Sequence, residues 1–336
     1  MSTALVPIAA HDPGAVVVRA PGFAMAMPAF IGSAGAHASR ATLEFFISRI
    51  ANPYTRRAYG RAVGRFCAWC EENGVRLAAL DTGITGAYVR SLESSLSLAS
   101  VKLAASAIRH WLDYLTEERV LGHNPARSVR TARLVVTEGK TPAMSRAQAR
   151  RLFATLDHAA AAGELLALRD RALFAVMLYG FVRVGAATRM QVADFEDDGE
   201  LTALVVHEKG GKTRRLPCHH QTRAYLRAYI TAAQLVPGAD EALFQSMPRR
   251  SAKLSGRALS TGQAWAAVKR WCQRAELPAK FCNHSFRATG ITLHQENGGR
   301  LEDAQDLAGH ADARTTRLYV RKSRETAQAE VERVQL

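Results

Sequence analysis

Between residues 124 and 142 the chain reads NPARSVRTARLVVTEGKTP, and this stretch constrains the architecture more than any other. It lacks helical periodicity, carries turn residues at both ends, and separates two regions dense in helix signals. A chain of 336 residues interrupted in this way reads as two domains of ordinary size, joined by a linker over 127–143. Apolar residues make up 48% of the chain, enough for a core in each. Residues 1–38 are rich in Ala, Pro and Gly and read as a flexible tail. Their apolar piece GFAMAMPAFIGSAGA is broken by Pro28, and no basic cluster precedes it as a secretory signal requires. No run is long enough to span a bilayer, so the expected partners exclude a membrane and the expected location is the cytoplasm, in association with the nucleoid.

The first domain is expected over 39–126 and is all helical. Asn52-Pro53 supplies an N-cap and a first-turn proline. The following YTRRAYGRAVGRFCAWCEENG places Tyr59, Val63, Phe66 and Cys70 on one face and Arg56, Arg57, Arg61 and Arg65 on others. A second helix, SLASVKLAASAIRHWLDYLTEERV, is apolar at Val101, Ala104, Ala105, Ile108, Leu112 and Leu115, and a shorter one lies near 84–95. The second domain is expected over 144–323. Ser145 caps RAQARRLFATLDH, a strongly apolar helix follows in RDRALFAVMLYG, and TALVVHEKGGKTRRLPC holds two β-rich runs around a tight turn. Further helices follow in QTRAYLRAYITAAQL, TGQAWAAVKRWCQRAE, SFRATGITLHQEN and LEDAQDLA. The fold class is mainly α, with a small antiparallel sheet in the second domain. The last segment, 324–336, has a narrow stripe of Ala327, Val331 and Val334 on an otherwise polar helix.

Net charge is +15, which favours a polyanionic partner, and nucleic acid above all in a chain of this length. Residues 40–140 hold 15 basic against 9 acidic residues and the remainder after them 29 against 20, so both domains are positive. The five cysteines show no disulfide framework. Cys67 and Cys70 lie in a helix interior and read as packed thiols. Cys218-His219-His220 has no second ligand pair at a useful spacing, so no metal site is expected.

Several isolated side chains stand out. Arg183 follows an apolar helix at a Gly-containing break, a costly setting without an anionic partner. Lys209 sits at the hairpin tip beside two glycines. His284 and Arg287 are three apart at the start of a helix and share a face. His310 and Tyr319 lie nine apart in AGHADARTTRLYV, where Tyr319 on its own reads equally as a surface aromatic. Taken together, these six residues suit holding a phosphodiester while an oxygen nucleophile attacks it. Arginine forks match phosphate oxygens, lysine or histidine moves protons, and tyrosine forms covalent intermediates.

At this point the chain resembles the tyrosine recombinase, or phage integrase, family. RDRALFAVMLYGFVRVGAATRMQVADFE is similar to the family's first arginine box, with Arg183 in the arginine position. HEKGGKTRRLP resembles the lysine hairpin, with Lys209 in the catalytic place and Lys212 at a basic position beyond it. HSFRATGITL resembles the H-x-x-R box, and AGHADARTTRLYV the final box with the nucleophile. The amino-terminal helices resemble the helical, SAM-like core-binding domain, and the resemblance covers about 40–325. One departure is clear: three positions after Arg183 the family carries an acidic residue that orients neighbouring catalytic groups, and this chain has Ala186. Phe181-Val182 also replaces the usual Gly-Leu.

The resemblance implies a site-specific DNA recombinase or integrase, a DNA strand-transferase that needs neither metal nor ATP. In it Tyr319 attacks the scissile phosphate, leaving a 3′-phosphotyrosyl bond and a free 5′-hydroxyl. Arg183 and Arg287 stabilise the transition state, His310 donates to a phosphate oxygen, Lys209 protonates the leaving oxygen, and His284 helps remove the tyrosine proton. Arg56, Arg57, Arg61 and Lys212 are the expected DNA contacts. The implied partners are double-stranded recombination sites, sister protomers in a tetramer on DNA that exchange segment 324–336, and an accessory directionality factor. Two alternatives use the same fold: a catalytically idle DNA-binding regulator, and a relaxing activity like that of type IB topoisomerases.

Overall fold

The computed structural model describes residues 17–20, 23–133, 139, 141–199, 201–208, 211–248, 253–310 and Thr316. Lys209, Tyr319 and the 324–336 segment lie outside the described residues. The chain divides into two compact units, residues 1–135 and 136–336.

In the first unit the antiparallel pair β1 (Val17–Ala20) and β2 (Phe23–Ala26) precedes α1 (Ala29–Gly32) and α2 (Ala36–Glu44), which runs on into a π-helical turn over Phe45–Arg49. Then come α3 (Pro53–Glu72), α4 (Thr82–Glu93) and α5 (Leu98–Glu117). Local chemistry sets the helix starts. The Asn52 side chain accepts from the Tyr54 and Thr55 amides at 2.9 and 3.2 Å with Pro53 in the first turn, and Asp81 and Ser97 cap α4 and α5 in the same way. Val63, Phe66 and Cys70 of α3 and all six expected apolar positions of α5 are buried together, around Trp111, whose indole N–H donates to Thr42 at 3.2 Å.

The expectation of a flexible tail over 1–38 needs correction for its later part. Met27, Phe30 and Ile31 belong to this core, and the Phe30 amide donates to Glu71 at 2.6 Å. Pro28, which interrupts the apolar run in sequence, is the N-cap of α1, so the break marks the start of an element that packs. Val129, placed in the linker by sequence, is also buried against this core. Cys67 and Cys70 are fully buried. Burial, then the Glu71 charge, pushes the Cys70 thiol up to about 12, and Cys67 is raised further, so both act as apolar packing groups. Among the described residues no cluster of three metal-ligating side chains occurs, and no helix is long and apolar enough to cross a membrane.

The second unit contains α6 (Arg146–Ala161), α7 (Leu165–Tyr179), α8 (Val184–Ala187), β3 (Phe195–Asp197), β4 (Thr202–His207), β5 (Thr213–Pro217), α9 (His220–Ala232), α10 (Thr261–Arg274), α11 (Asn283–Glu296) and α12 (Leu301–Ala308). The strands form one antiparallel sheet in the order β3-β4-β5. Ser145 and Gln148 make a reciprocal capping box at the start of α6. Helix α7 is the centre of the unit: Ala172–Leu178 are all buried, and Phe174 packs on Phe286 of α11 with ring centroids 4.5 Å apart. The hairpin connection is longer than a tight turn, because His207 pairs with Thr213 and Gly211 takes a left-handed conformation at φ +75°.

Helix α7 also buries an ion network. Asp170, fully enclosed, accepts from Arg169 at 2.7 Å, from Arg270 at 2.7 Å and from the Trp271 indole at 2.8 Å, while Arg169 donates to the Gln245 carbonyl at 2.9 Å. Removing one member of such a set leaves a buried charge without compensation. Asp170→Ala is expected to lower the unfolding free energy by about 3–5 kcal/mol, read by urea denaturation. A loss under about 1 kcal/mol would place the network's contribution at the level of a surface pair.

Candidate active site

The site begins where α7 ends. A Cβ at Gly180 would lie 2.9 Å from the Val176 carbonyl oxygen, and one at Gly290 of α11 would run into the Leu178 carbonyl and the Phe181 ring. The two glycines let the chain turn sharply over α11. Phe181 then takes a left-handed conformation at φ +51°, and Arg183 becomes the residue before α8. The Arg183 side chain is 41% exposed, and its Nη1 donates to Glu208 Oε1 at 3.1 Å.

Arg287 projects from the first turns of α11 and is 2% exposed. Its guanidinium donates to the Phe181 carbonyl, to the Ala308 carbonyl at 2.6 Å and to His310 Nε2 at 2.6 Å. Arginine is a donor only, so Nε2 of His310 carries the lone pair and Nδ1 carries the proton. That Nδ1–H donates to Thr316 Oγ1 at 2.8 Å. The ring is therefore neutral in this arrangement. Burial, followed by the charges of Arg287 and Arg183, lowers its pKa to about 4. The same order of causes lowers the pKa of His284, which sits at the outer face of the first α11 turn.

Arg183, His284, Arg287 and His310 thus come together from three places: the turn before α8, the start of α11 and the residue after the α12 cap. The shared influence of Arg183 and Arg287 on both histidines expresses that proximity. Lys209 and Tyr319 lie outside the described residues; Glu208, one position before Lys209, and Thr316, three before Tyr319, are hydrogen-bonded to members of the cluster. Lys212, Arg57 and Arg61 are exposed. Arg56 is half-buried, and its Nε and Nη2 donate to the Ile50 carbonyl at 3.0 and 2.7 Å, tying down the entry to α3.

Two residues of the cluster escaped the sequence reading, Glu208 and Arg214. Arg214 donates to Glu208 at 2.8 Å and to the Asp306 and Leu307 carbonyls at 3.1 and 2.9 Å. Strand alternation offered a signal for Arg214, since it faces opposite to Arg215, which pairs with Glu196 at 2.6 Å.

A family model described as the phage integrase family matches residues 142–326, more than half of the chain, and the N-terminal SAM-like domain of phage integrases matches 43–119. The chain belongs to the phage integrase family. It is a tyrosine recombinase, an enzyme of the DNA strand-transferase class. Tyrosine recombinase XerC of Serratia marcescens is 26% identical over 275 residues, covering 81% of this chain and 86% of its own. Tyrosine recombinase XerD of Ralstonia nicotianae is 27% identical over 275 residues, covering 81% and 84%. Among solved structures, the XerH recombinase bound to palindromic difH substrate, in a post-cleavage complex, superposes with a TM-score of 0.67 at 17% identity over 84% of this chain and 80% of that one. A lambda integrase fragment (75–356) bound as a dimer to a core site gives 0.60 at 18% identity over 84% and 93%. These structures share the fold, including the helical first unit and the small sheet of the second.

The tautomer of His310 has a consequence for this recombinase that stability measurements reach directly. An unfolded histidine titrates near 6.5, whereas His310 in the fold titrates near 4. Between those values the unfolded chain holds the extra proton, so stability falls as pH drops through that window. The His310 contribution is on the order of 3 kcal/mol. His310→Gln accepts from Arg287 and donates to Thr316 without titrating. Its unfolding free energy is expected to fall less steeply than that of the wild type between pH 6.5 and 4, and parallel curves would refute the neutral, Arg287-bound ring.

Proposed function

We propose that the protein is a site-specific recombinase that cleaves and rejoins duplex DNA through a covalent link to Tyr319. The observation that supports this most is the convergence of Arg183, Arg287, His284 and His310, with Thr316, three residues before Tyr319, hydrogen-bonded to His310. In the reaction the Tyr319 oxygen attacks phosphorus and the bond to the 5′-oxygen breaks. A 3′-phosphotyrosyl link forms, and the leaving oxygen takes a proton from Lys209. His284, whose pKa burial and then the arginine charges lower, accepts the tyrosine proton. Arg183 and Arg287 offset the charge that grows on the equatorial oxygens, and for Arg287 this requires exchanging carbonyl partners for phosphate. A 5′-hydroxyl from another strand reverses the step. The phosphodiester energy is retained in the link, so the cycle consumes no ATP, and side chains supply the positive charge a metal would otherwise bring.

In this reading the 39–126 helices and the 144–323 domain, both positively charged, each hold the duplex, with Arg57, Arg61 and Lys212 on phosphates. Cleavage of paired sites takes place in a tetramer, with segment 324–336 passed between protomers. The role assigned in this reading is integration, excision or resolution of a mobile element or replicon.

The test is a suicide duplex carrying the site footprinted on DNA beside the gene. The wild type is expected to form an SDS-resistant adduct in the presence of EDTA. Tyr319→Phe is expected to bind the duplex with unchanged affinity and form none. An adduct with Tyr319→Phe would assign the nucleophile elsewhere, and binding without any wild-type adduct would favour an idle DNA-binding protein.

A further inference from the structure

The acidic residue expected three positions after Arg183 is missing, and Ala186, which stands there, is buried in the hydrophobic core of the second unit. A carboxylate nevertheless reaches Arg183 from a different element. Glu208 immediately follows β4, its side chain is 10% exposed, and Oε1 accepts from Arg183 Nη1 at 3.1 Å and from Arg214 Nη2 at 2.8 Å. Its amide donates to the Lys212 carbonyl at 2.7 Å, closing the loop in which the next residue is Lys209.

Arg214 extends the connection. Its Nη1 donates to the Asp306 and Leu307 carbonyls at the end of α12, where helical carbonyls lack partners of their own. Gly309, left-handed at φ +60°, lies directly under this guanidinium: a Cβ there would sit 2.7 Å from Arg214 Cζ. The residue after that glycine is His310. One carboxylate therefore joins three segments, each carrying a candidate catalytic residue: the turn with Arg183, the hairpin with Lys209 and the α12 cap with His310.

Physical chemistry separates this from an ordinary surface pair. An exposed ion pair contributes little, because water competes for both partners. Glu208 is mostly enclosed between two guanidinium groups, and a carboxylate so placed holds both in fixed directions. Arg183 has five N–H donors in a rigid fork; engaging Nη1 sets the plane of that fork and leaves another edge to present to a phosphate. Its half-exposed stem would otherwise sample many rotamers, and transition-state stabilisation depends on donors already aimed where charge develops.

We propose that Glu208 is a positioning residue of this active site, its carboxylate, held in place by Arg214, orienting Arg183 toward the scissile phosphate. The proposal rests on the recombinase reading above. It assigns Glu208 no proton transfer and no contact with DNA.

The test uses the full chain and the same suicide duplex, at a temperature well below the melting point of every variant. Adduct formation under single turnover and DNA affinity are measured separately for Glu208→Gln and Glu208→Ala, each in the wild-type and the Arg183→Ala background. In the wild-type background, cleavage is expected to slow about 100-fold, the scale of a misplaced catalytic group, with DNA affinity unchanged. In the Arg183→Ala background the same substitutions are expected to cost less than about threefold, because a residue that acts through Arg183 has nothing left to orient. Equal losses in both backgrounds would show an effect spread through the fold and overturn the proposal. Cleavage as fast as wild type would overturn it as well, and faster cleavage would make Glu208 an internal anion that phosphate has to displace. Absence of any adduct from the wild type would instead sink the recombinase reading, and this inference with it.

Discussion

The guanidinium of Arg287 is the group around which the catalytic unit is arranged. A charge that is 2% exposed is expensive to remove from water, and the fold meets that cost with directed acceptors. The Phe181 carbonyl points at it because Phe181 sits in a left-handed turn that two glycines make possible. The Ala308 carbonyl is available because it belongs to the last turn of α12, where carbonyls have no helical donors. Holding one arginine thus brings together the end of α7, the end of α12 and the residue that follows it.

The α12 terminus shows the same logic a second time. Its carbonyls carry the negative end of the helix dipole and receive two arginines, Arg287 on Ala308 and Arg214 on Asp306 and Leu307. Burial, and after it the surrounding cations, lowers the pKa of both imidazoles. His310 stays neutral well below the usual histidine range, and its single proton is directed at Thr316. A tautomer set by an arginine is a form of preorganisation: the hydrogen-bonding roles of the ring are decided before a substrate arrives.

Much of this was legible in the linear chain, for reasons that can be stated residue by residue. The capping residues Asn52 and Ser145 act over three positions, so their effects survive in any tertiary context. The apolar spacing of α5 needs only a partner face, whatever its identity. The short spacing His284–Arg287 lies within one helical turn and puts the pair on one face without help from the rest of the fold. What local rules missed were elements whose reason is remote. β3 is three residues long and exists because β4 pairs with it. Residues 27–31 pack because a core waits for them, although Pro28 makes the segment look broken. The Ile50 carbonyl, six residues back, receives Arg56, a bond that helical periodicity does not signal.

The sequence by itself determined the helical content, the division into two units, the positive charge and the family, since periodicity, charge and ordered motifs are properties of the string. The tertiary structure alone decided which acidic side chain meets Arg183. Position 186 lies only three residues on and is empty of charge, while Glu208 lies 25 residues away and is delivered by strand pairing. It also decided that Arg287 is enclosed and that His310 is neutral, because burial and the distance between charges depend on how segments pack. Coulomb energy and desolvation are set by separation in space, and separation along the chain is no measure of either.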